Sequence, residues 1–182
     1  MSVNLKLRNK EAIDVIVIGA GMYVCGKGTD SYGTILPSLF ELGKKGIVSK
    51  VKVVGTKSSN KQILASKVSS LSEKLGYSAD VEYYPKENND KESYKKVIEE
   101  ARSNSCVIIS TPDSTHYDIA KFVLNNDFDC LVVKPLSATV NEVKQLIELK
   151  NSKNKIGLVE FHKRWDRCNL KIKDLIQNDK IG

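Results

Sequence analysis

Apolar positions along the chain fall into two alternating patterns. Short continuous runs rich in β-branched residues appear at "IDVIVI" (13–18), "VSKVKVVG" (48–55), "CVIIST" (106–111), "DCLVVK" (129–134) and "KIGLVEF" (155–161), with a weaker one at "ADVEYY" (79–84). A run without polar alternation predicts a strand covered on both faces, as in a parallel sheet. Between these runs the apolar residues recur at helical spacing. One stripe is Ile63, Leu64, Val68, Leu71 and Leu75 ahead of Gly76; others are Tyr94, Val97, Ile98 and Ala101, then Ile119, Ala120, Val123 and Leu124, then Val143, Leu146 and Ile147, with Leu149 at the margin. The alternation predicts an α/β domain, a doubly wound and mostly parallel Rossmann-like sheet with helices on both faces.

In such a sheet ligands sit beyond the carboxyl ends of the strands, so the residues after each run carry the chemistry. Those stretches read "GAGMY", "GTKSSN", "STPDSTH", "KPLS" and "HKRWD". Gly19 and Gly21 suit a tight turn and a close approach of backbone N–H groups to a pyrophosphate, with Met22 and Tyr23 beside them. The third glycine of a G-x-G-x-x-G turn is missing, since position 24 is Val24. The first clean helical pattern, "TILPSLFELGKKG", begins later, with Thr34 as its cap, Pro37 in its first turn and Gly43 or Gly46 at its end. Residues 22–33 therefore read as an inserted loop. Its Tyr23, Lys27, Thr29 and Asp30 either cover a cofactor or form a solvated excursion.

After the second strand, an NAD site usually offers a carboxylate to the adenosine ribose, whereas an NADP site accepts a 2′-phosphate. Here "VVGTKSSNKQ" holds no acid before Glu73, while Thr56, Lys57, Ser58 and Ser59 offer hydroxyls and a cation. NADP is favoured over NAD on that pattern; the rival reading is a serine-rich helix cap with a solvent-facing lysine. Lys134 stands between "LVV" and a proline, at a strand end. A lysine there can hydrogen-bond a substrate hydroxyl or share its proton, although a strand-end lysine can also simply face water. His116, at a helix start, either acts directly or serves as a cap neighbour. His162 and Arg164 either meet substrate or cofactor, or pin the last helix.

Composition removes several other classes. The formal charge of +7, from 29 Lys and Arg against 22 Asp and Glu, is spread singly along helical segments with few aromatics, which argues against a nucleic-acid groove and suits an anionic small ligand. Four cysteines without a C-x-x-C pair and two histidines give no metal framework, and the cysteines read as small residues in or beside buried strands. The N-terminal stretch "MSVNLKLRNKEAID" has no apolar core of signal-peptide length, and no run approaches membrane-spanning length, so a cytoplasmic protein without a membrane partner is expected.

Three segments together resemble the nucleotide-binding half of the Gfo/Idh/MocA oxidoreductases, relatives of glucose-fructose oxidoreductase and inositol dehydrogenase. "STPDSTH" is similar to the family's T-P-N-x-x-H turn, "VKP" to its E-K-P turn, and "GLVEFHKRWDR" to its G-F-N-x-R-F-D-P segment, with His162 at the Asn and Arg164 at the Arg. The resemblance implies that Thr111, Pro112, Asp113, His116, Lys134, Pro135 and Arg164 lie by the cofactor, and that Lys134 is the catalytic lysine. It departs from the pattern at the longer glycine loop, at Val133 in place of the acid, and at Arg167 where proline is common.

The resemblance further implies hydride transfer between NAD(P) and a sugar, cyclitol or related polyol. The family's substrate domain, which commonly carries the oligomer interface, follows the nucleotide-binding half. A chain ending at Gly182 is expected to be one dinucleotide-binding domain (1–182), catalytically incomplete by itself. The alternative expectation is a non-catalytic dinucleotide-binding or interaction module.

Overall fold

A computed structural model describes residues 11–181; the first ten residues of the N-terminal stretch read above, and Gly182, lie outside them. Six strands, β1 (Ile13–Ile18), β2 (Val48–Val54), β3 (Asp80–Tyr84), β4 (Ser105–Ile109), β5 (Asp129–Val133) and β6 (Gly157–Glu160), form one sheet in the order β3-β2-β1-β4-β5-β6. Every neighbouring pair is parallel. The helices are α1 (Met22–Cys25), α2 (Ile35–Lys44), α3 (Asn60–Leu75), α4 (Ser93–Glu99), α5 (His116–Asn125), α6 (Val140–Ser152) and α7 (Arg167–Gln177). Short 3-10 turns occupy Asp113–Thr115 and His162–Trp165.

β1 explains the continuous apolar run. Val15 and Val17 join a cluster with Val51, Val53, Leu36, Phe40, Leu64 and Leu71, while Ile16 and Ile18 join one with Val107, Ile109, Ile98, Ile119, Val123 and Leu146. Successive side chains of a strand point to opposite faces, and both faces here are covered, so neither set can be polar. The predicted alternation and the doubly wound, Rossmann-like class are what the molecule adopts.

Several local expectations change. Helix starts directly after Gly21 rather than being delayed: Met22–Cys25 makes one turn, and Gly26, at φ 70°, ends it in a left-handed cap. The insertion thus splits the helix instead of preceding it. Thr34 precedes α2 without a side-chain cap bond. Side-chain caps are built instead at α6, where Thr139 accepts from the Glu142 N–H while Glu142 reaches back to the Thr139 N–H, and at α7, where Asp166 accepts from the Cys168 N–H. Ile63 and Ile147 belong to the predicted stripes but are exposed, as is Leu158 on β6, because β6 is a sheet edge with one side left open. Cys25 and Cys130 are buried, yet Cys168 is exposed on α7, away from any strand.

Chain order reverses between β1 and β4, which opens a crevice at the carboxyl edge of the sheet. Gly19 N–H donates to Val54 O at 2.7 Å and Ser110 N–H to Ile18 O at 2.8 Å, tying the first turn to its neighbours on either side.

Candidate active site

The crevice at this reversal is a cleft of about 740 Å³. It is lined by residues that follow β1, β2, β4 and β5, together with His162 and loop residues Lys27 and Lys91. Of the residues singled out in the sequence, Gly19, Gly21, Met22, Tyr23, Thr56, Thr111, Pro112, Asp113, His116 and Lys134 lie on its wall. Lys57, Ser58, Pro135 and Arg164 stand outside the lining. Three lysines (Lys27, Lys91 and Lys134) face one carboxylate, Asp113, so the lining favours an anionic ligand.

The first turn is shaped by a glycine that nothing can replace without movement. Gly19 has φ 122°, and a Cβ there would lie 2.0 Å from the Ser110 carbonyl oxygen. Gly21 does a different job, since a Cβ at that position would meet nothing within 4 Å. The space before the first N–H groups of α1 is therefore open to a bulky anion such as a pyrophosphate.

At the end of β2, the "TKSS" turn is organised by its neighbours. The Tyr83 hydroxyl donates to Lys57 O at 2.7 Å, the Ser58 N–H donates to Asn89 Oδ1 at 3.0 Å, and the Asp90 N–H donates to Thr56 O at 3.0 Å. Thr56 remains on the cleft wall. The cations there come from elsewhere: Lys27, on the inserted segment, donates through Nζ to Asn60 Oδ1 at 2.9 Å, and Lys91 lies on the β3–α4 connection. The sequence leaves Lys27 open between covering a cofactor and a solvated excursion, and gives no signal that Asn60 and Lys91 would stand on the cleft wall.

Beyond β4, Thr115 Oγ1 lies 2.8 Å from both Thr111 Oγ1 and Pro112 O, closing the turn on itself. His116 is 1% exposed. Its ring sits between the Thr111 carbonyl, 2.9 Å from Nε2, and the Pro135 carbonyl, 2.6 Å from Nδ1. It joins the β4 turn to the β5 turn and forms part of the wall from behind. Lys134 stands exposed at the lip, with its N–H 3.3 Å from Glu160 O. Arg164 lies over the Phe161 ring at 6.0 Å, on the exposed side of the last turn.

A cluster closes the β5–β6 end. The Tyr23 hydroxyl donates to Glu160 Oε2 at 2.9 Å, and His162 Nδ1 lies 3.4 Å from that hydroxyl. Burial, with the hydrogen bond to Glu160 and its negative charge, pushes the Tyr23 hydroxyl up to about 12. Glu160 was legible only as the end of a strand, and its meeting with Tyr23 had no local signal. Among the described residues no helix is long and apolar enough to cross a membrane, and no group of three His, Cys, Asp or Glu is placed to hold a metal ion.

Comparison with known proteins agrees with the fold. Residues 43–161 match the family model described as the oxidoreductase family with NAD-binding Rossmann fold. An uncharacterized oxidoreductase of Schizosaccharomyces pombe is 36% identical over 76 residues, covering 42% of this chain and 21% of that protein. Inositol 2-dehydrogenase of Salmonella typhimurium is 28% identical over 106 residues, 57% of this chain and 31% of the enzyme. The crystal structure of myo-inositol 2-dehydrogenase from Lactobacillus plantarum has the same fold, with a TM-score of 0.63 at 21% identity over 94% of this chain and 42% of that one. The chain thus spans well under half the length of the proteins it matches. With the family model matching well over half of the chain and the fold in agreement, this chain belongs to the Gfo/Idh/MocA oxidoreductases, through their NAD(P)-binding Rossmann domain.

Proposed function

We propose that this chain is the dinucleotide-binding domain of an oxidoreductase that moves a hydride between NADP and an alcohol or carbonyl centre of a sugar, cyclitol or related polyol. The observation that carries the reading is the cleft at the β1/β4 reversal, with Gly19 and Gly21 in its wall and three lysines there against one carboxylate. The bound nicotinamide would supply or accept the hydride. The residues of the chain do the rest. Gly19 and Gly21 bring backbone N–H groups to the pyrophosphate, and Thr111, Pro112 and Asp113 form the wall beside the nicotinamide. Lys134, exposed at the lip, holds the substrate hydroxyl and exchanges its proton.

The preference for NADP over NAD rests on charge at the β2 end. Among the described residues no carboxylate after β2 lines the cleft, and its single acid is Asp113 beyond β4, whereas Lys27 and Lys91 are part of its wall. A phosphate dianion suits such a wall, and a ribose diol seeking a carboxylate does not.

A second domain that binds the substrate fits the far edge. Leu158, Phe161, Trp165 and Ile176 are 55%, 50%, 75% and 53% exposed along β6, the last 3-10 turn and α7. Apolar side chains collected on one edge are a surface for packing.

Titration of the purified chain with NADPH and NADH, followed by cofactor fluorescence, tests the reading. Saturable binding with NADPH the tighter ligand is expected. Failure of a folded sample to bind either one removes the cofactor assignment, and equal affinities remove the NADP preference alone.

A further inference from the structure

Tyr23 stands 137 positions from Glu160 and 139 from His162 in the chain, yet the polar atoms of the three meet at the β5–β6 end of the cleft. Tyr23 and His162 line that cleft together with Lys134. Glu160 pairs in register with Val133, the residue before Lys134, which fixes it beside the lysine's strand end. The three elements α1, β6 and the last 3-10 turn are thereby joined across the mouth.

The chemistry of the cluster has a direction. Glu160 accepts the Tyr23 hydroxyl proton at 2.9 Å, and its Oε2 lies 3.7 Å from His162 Nδ1. An imidazole that turns its Nδ1–H toward such acceptors keeps Nε2 as an acceptor. His162 Nε2 makes no hydrogen bond among the described residues, and the ring belongs to the cleft wall. A ligand group placed there must therefore offer a hydrogen-bond donor. The adenosine end of a dinucleotide goes to the β2 side of the switch point, which leaves the nicotinamide half at this end. That half carries suitable donors in its carboxamide NH2 and ribose hydroxyls.

We propose that His162 Nε2 is a hydrogen-bond acceptor for the nicotinamide half of the cofactor, with Glu160 and Tyr23 as positioning residues that hold the ring in place. The assignment rests on the dinucleotide reading above. It makes the first glycine turn responsible for the middle and one end of the ligand: Gly21 leaves room for the pyrophosphate, and Tyr23, two residues on, orients the contact to the nicotinamide.

The test compares whole dinucleotide with its adenosine half. In the unmodified chain, NADPH is expected to move the His162 ring resonances, whereas adenosine 2′,5′-bisphosphate leaves them in place. Only two histidines are present, so the signals are assigned by their loss in His162→Ala. His162→Ala is expected to weaken NADPH binding about three- to tenfold, the loss of one hydrogen bond, with little change for adenosine 2′,5′-bisphosphate. Glu160→Gln and Tyr23→Phe should give smaller losses of the same kind, and His162→Asn should recover part of the affinity through its amide oxygen.

Parallel losses for both ligands, or unmoved His162 resonances on saturation with NADPH, would overturn the assignment and leave the cluster as a latch between elements. If the unmodified folded chain binds neither ligand, the dinucleotide reading itself fails, a result distinct from either of those.

Discussion

At the β2–β3 end of the cleft the polar groups are supplied by neighbours in the sheet: Tyr83, Asn89 and Asp90, all on or just after β3, organise Thr56, Lys57 and Ser58 after β2. At the β5–β6 end the meeting of Tyr23 with Glu160 and His162 joins the first turn of the chain to its last strand. One end is lysine-rich and built around backbone carbonyls and amides. The other is built from side chains that exchange hydrogen bonds among themselves. The difference teaches that the charge of this cleft can be changed at one end by single loop residues, while the geometry of the other end depends on the whole sheet being in register.

The largest expected effect comes at the point the two ends share. Gly19→Ala places a Cβ 2.0 Å from the Ser110 carbonyl at a backbone conformation that L residues rarely adopt. A loss of about 3 kcal/mol or more in unfolding free energy is expected by denaturant titration, with dinucleotide binding lost from both ends. A variant as stable as the parent would mean that the turn relaxes freely, and the shared anchor would disappear from the comparison.

The next effect separates the ends. Lys27→Ala is expected to weaken NADPH about tenfold and NADH little, the scale of one charge-assisted contact to a phosphate. Lys57→Ala, at a residue outside the lining, should leave the ratio of the two affinities near that of the parent. The sequence pattern favoured Lys57, so a larger shift from Lys57→Ala by parallel titration would return the phosphate to that residue and remove Lys27 from the wall's function.

The smallest effects are in pH. Hydrogen bonds from Lys50 and Tyr84 hold the Glu82 carboxyl down to about 2 from 4.5. A carboxyl lowered by folding contributes stability above its unfolded value, and that contribution is lost as pH falls from about 4.5 toward 2. Tyr23 runs the other way: raised to about 12 from 10.0, it contributes below pH 10 and is lost as pH rises toward 12. Glu82→Gln should flatten the acid limb of the stability profile, and Tyr23→Phe the alkaline limb. Both groups are partly exposed, so solvent reduces the effects. Exchange of the two limbs between the variants would contradict the electrostatic account of the two regions.

How much was legible depended on how local the cause was. The strands under β1 and β4 read clearly because both faces are covered, and the "STPDSTH" and "VKP" turns read as chemistry because they follow such strands. β6 read as buried and is an exposed edge, since a run of apolar residues says nothing about whether a partner layer covers it. Ile63 and Ile147 kept helical spacing while lying just outside the stripe that the sheet buries. In the candidate site, Thr56, Thr111 and Lys134 were found by the rule that ligands lie beyond strand ends. Lys91 and Asn60 were not, because a lysine within "KENNDKE" and an asparagine at a helix start look like solvated groups anywhere.

By itself, the sequence determined the alternation of strand and helix, the doubly wound class, the glycine turn and the family's turns at one edge. Those follow from periodicity and from backbone demands that act over a few residues. Only the tertiary structure decided that the inserted segment splits the first helix and brings Lys27 to the cleft, that His116 is enclosed between two carbonyls, and that Tyr23 meets Glu160 and His162. Such contacts depend on strand order and register, which place residues more than a hundred positions apart within hydrogen-bond reach, and no local pattern records which distant side chain will stand there.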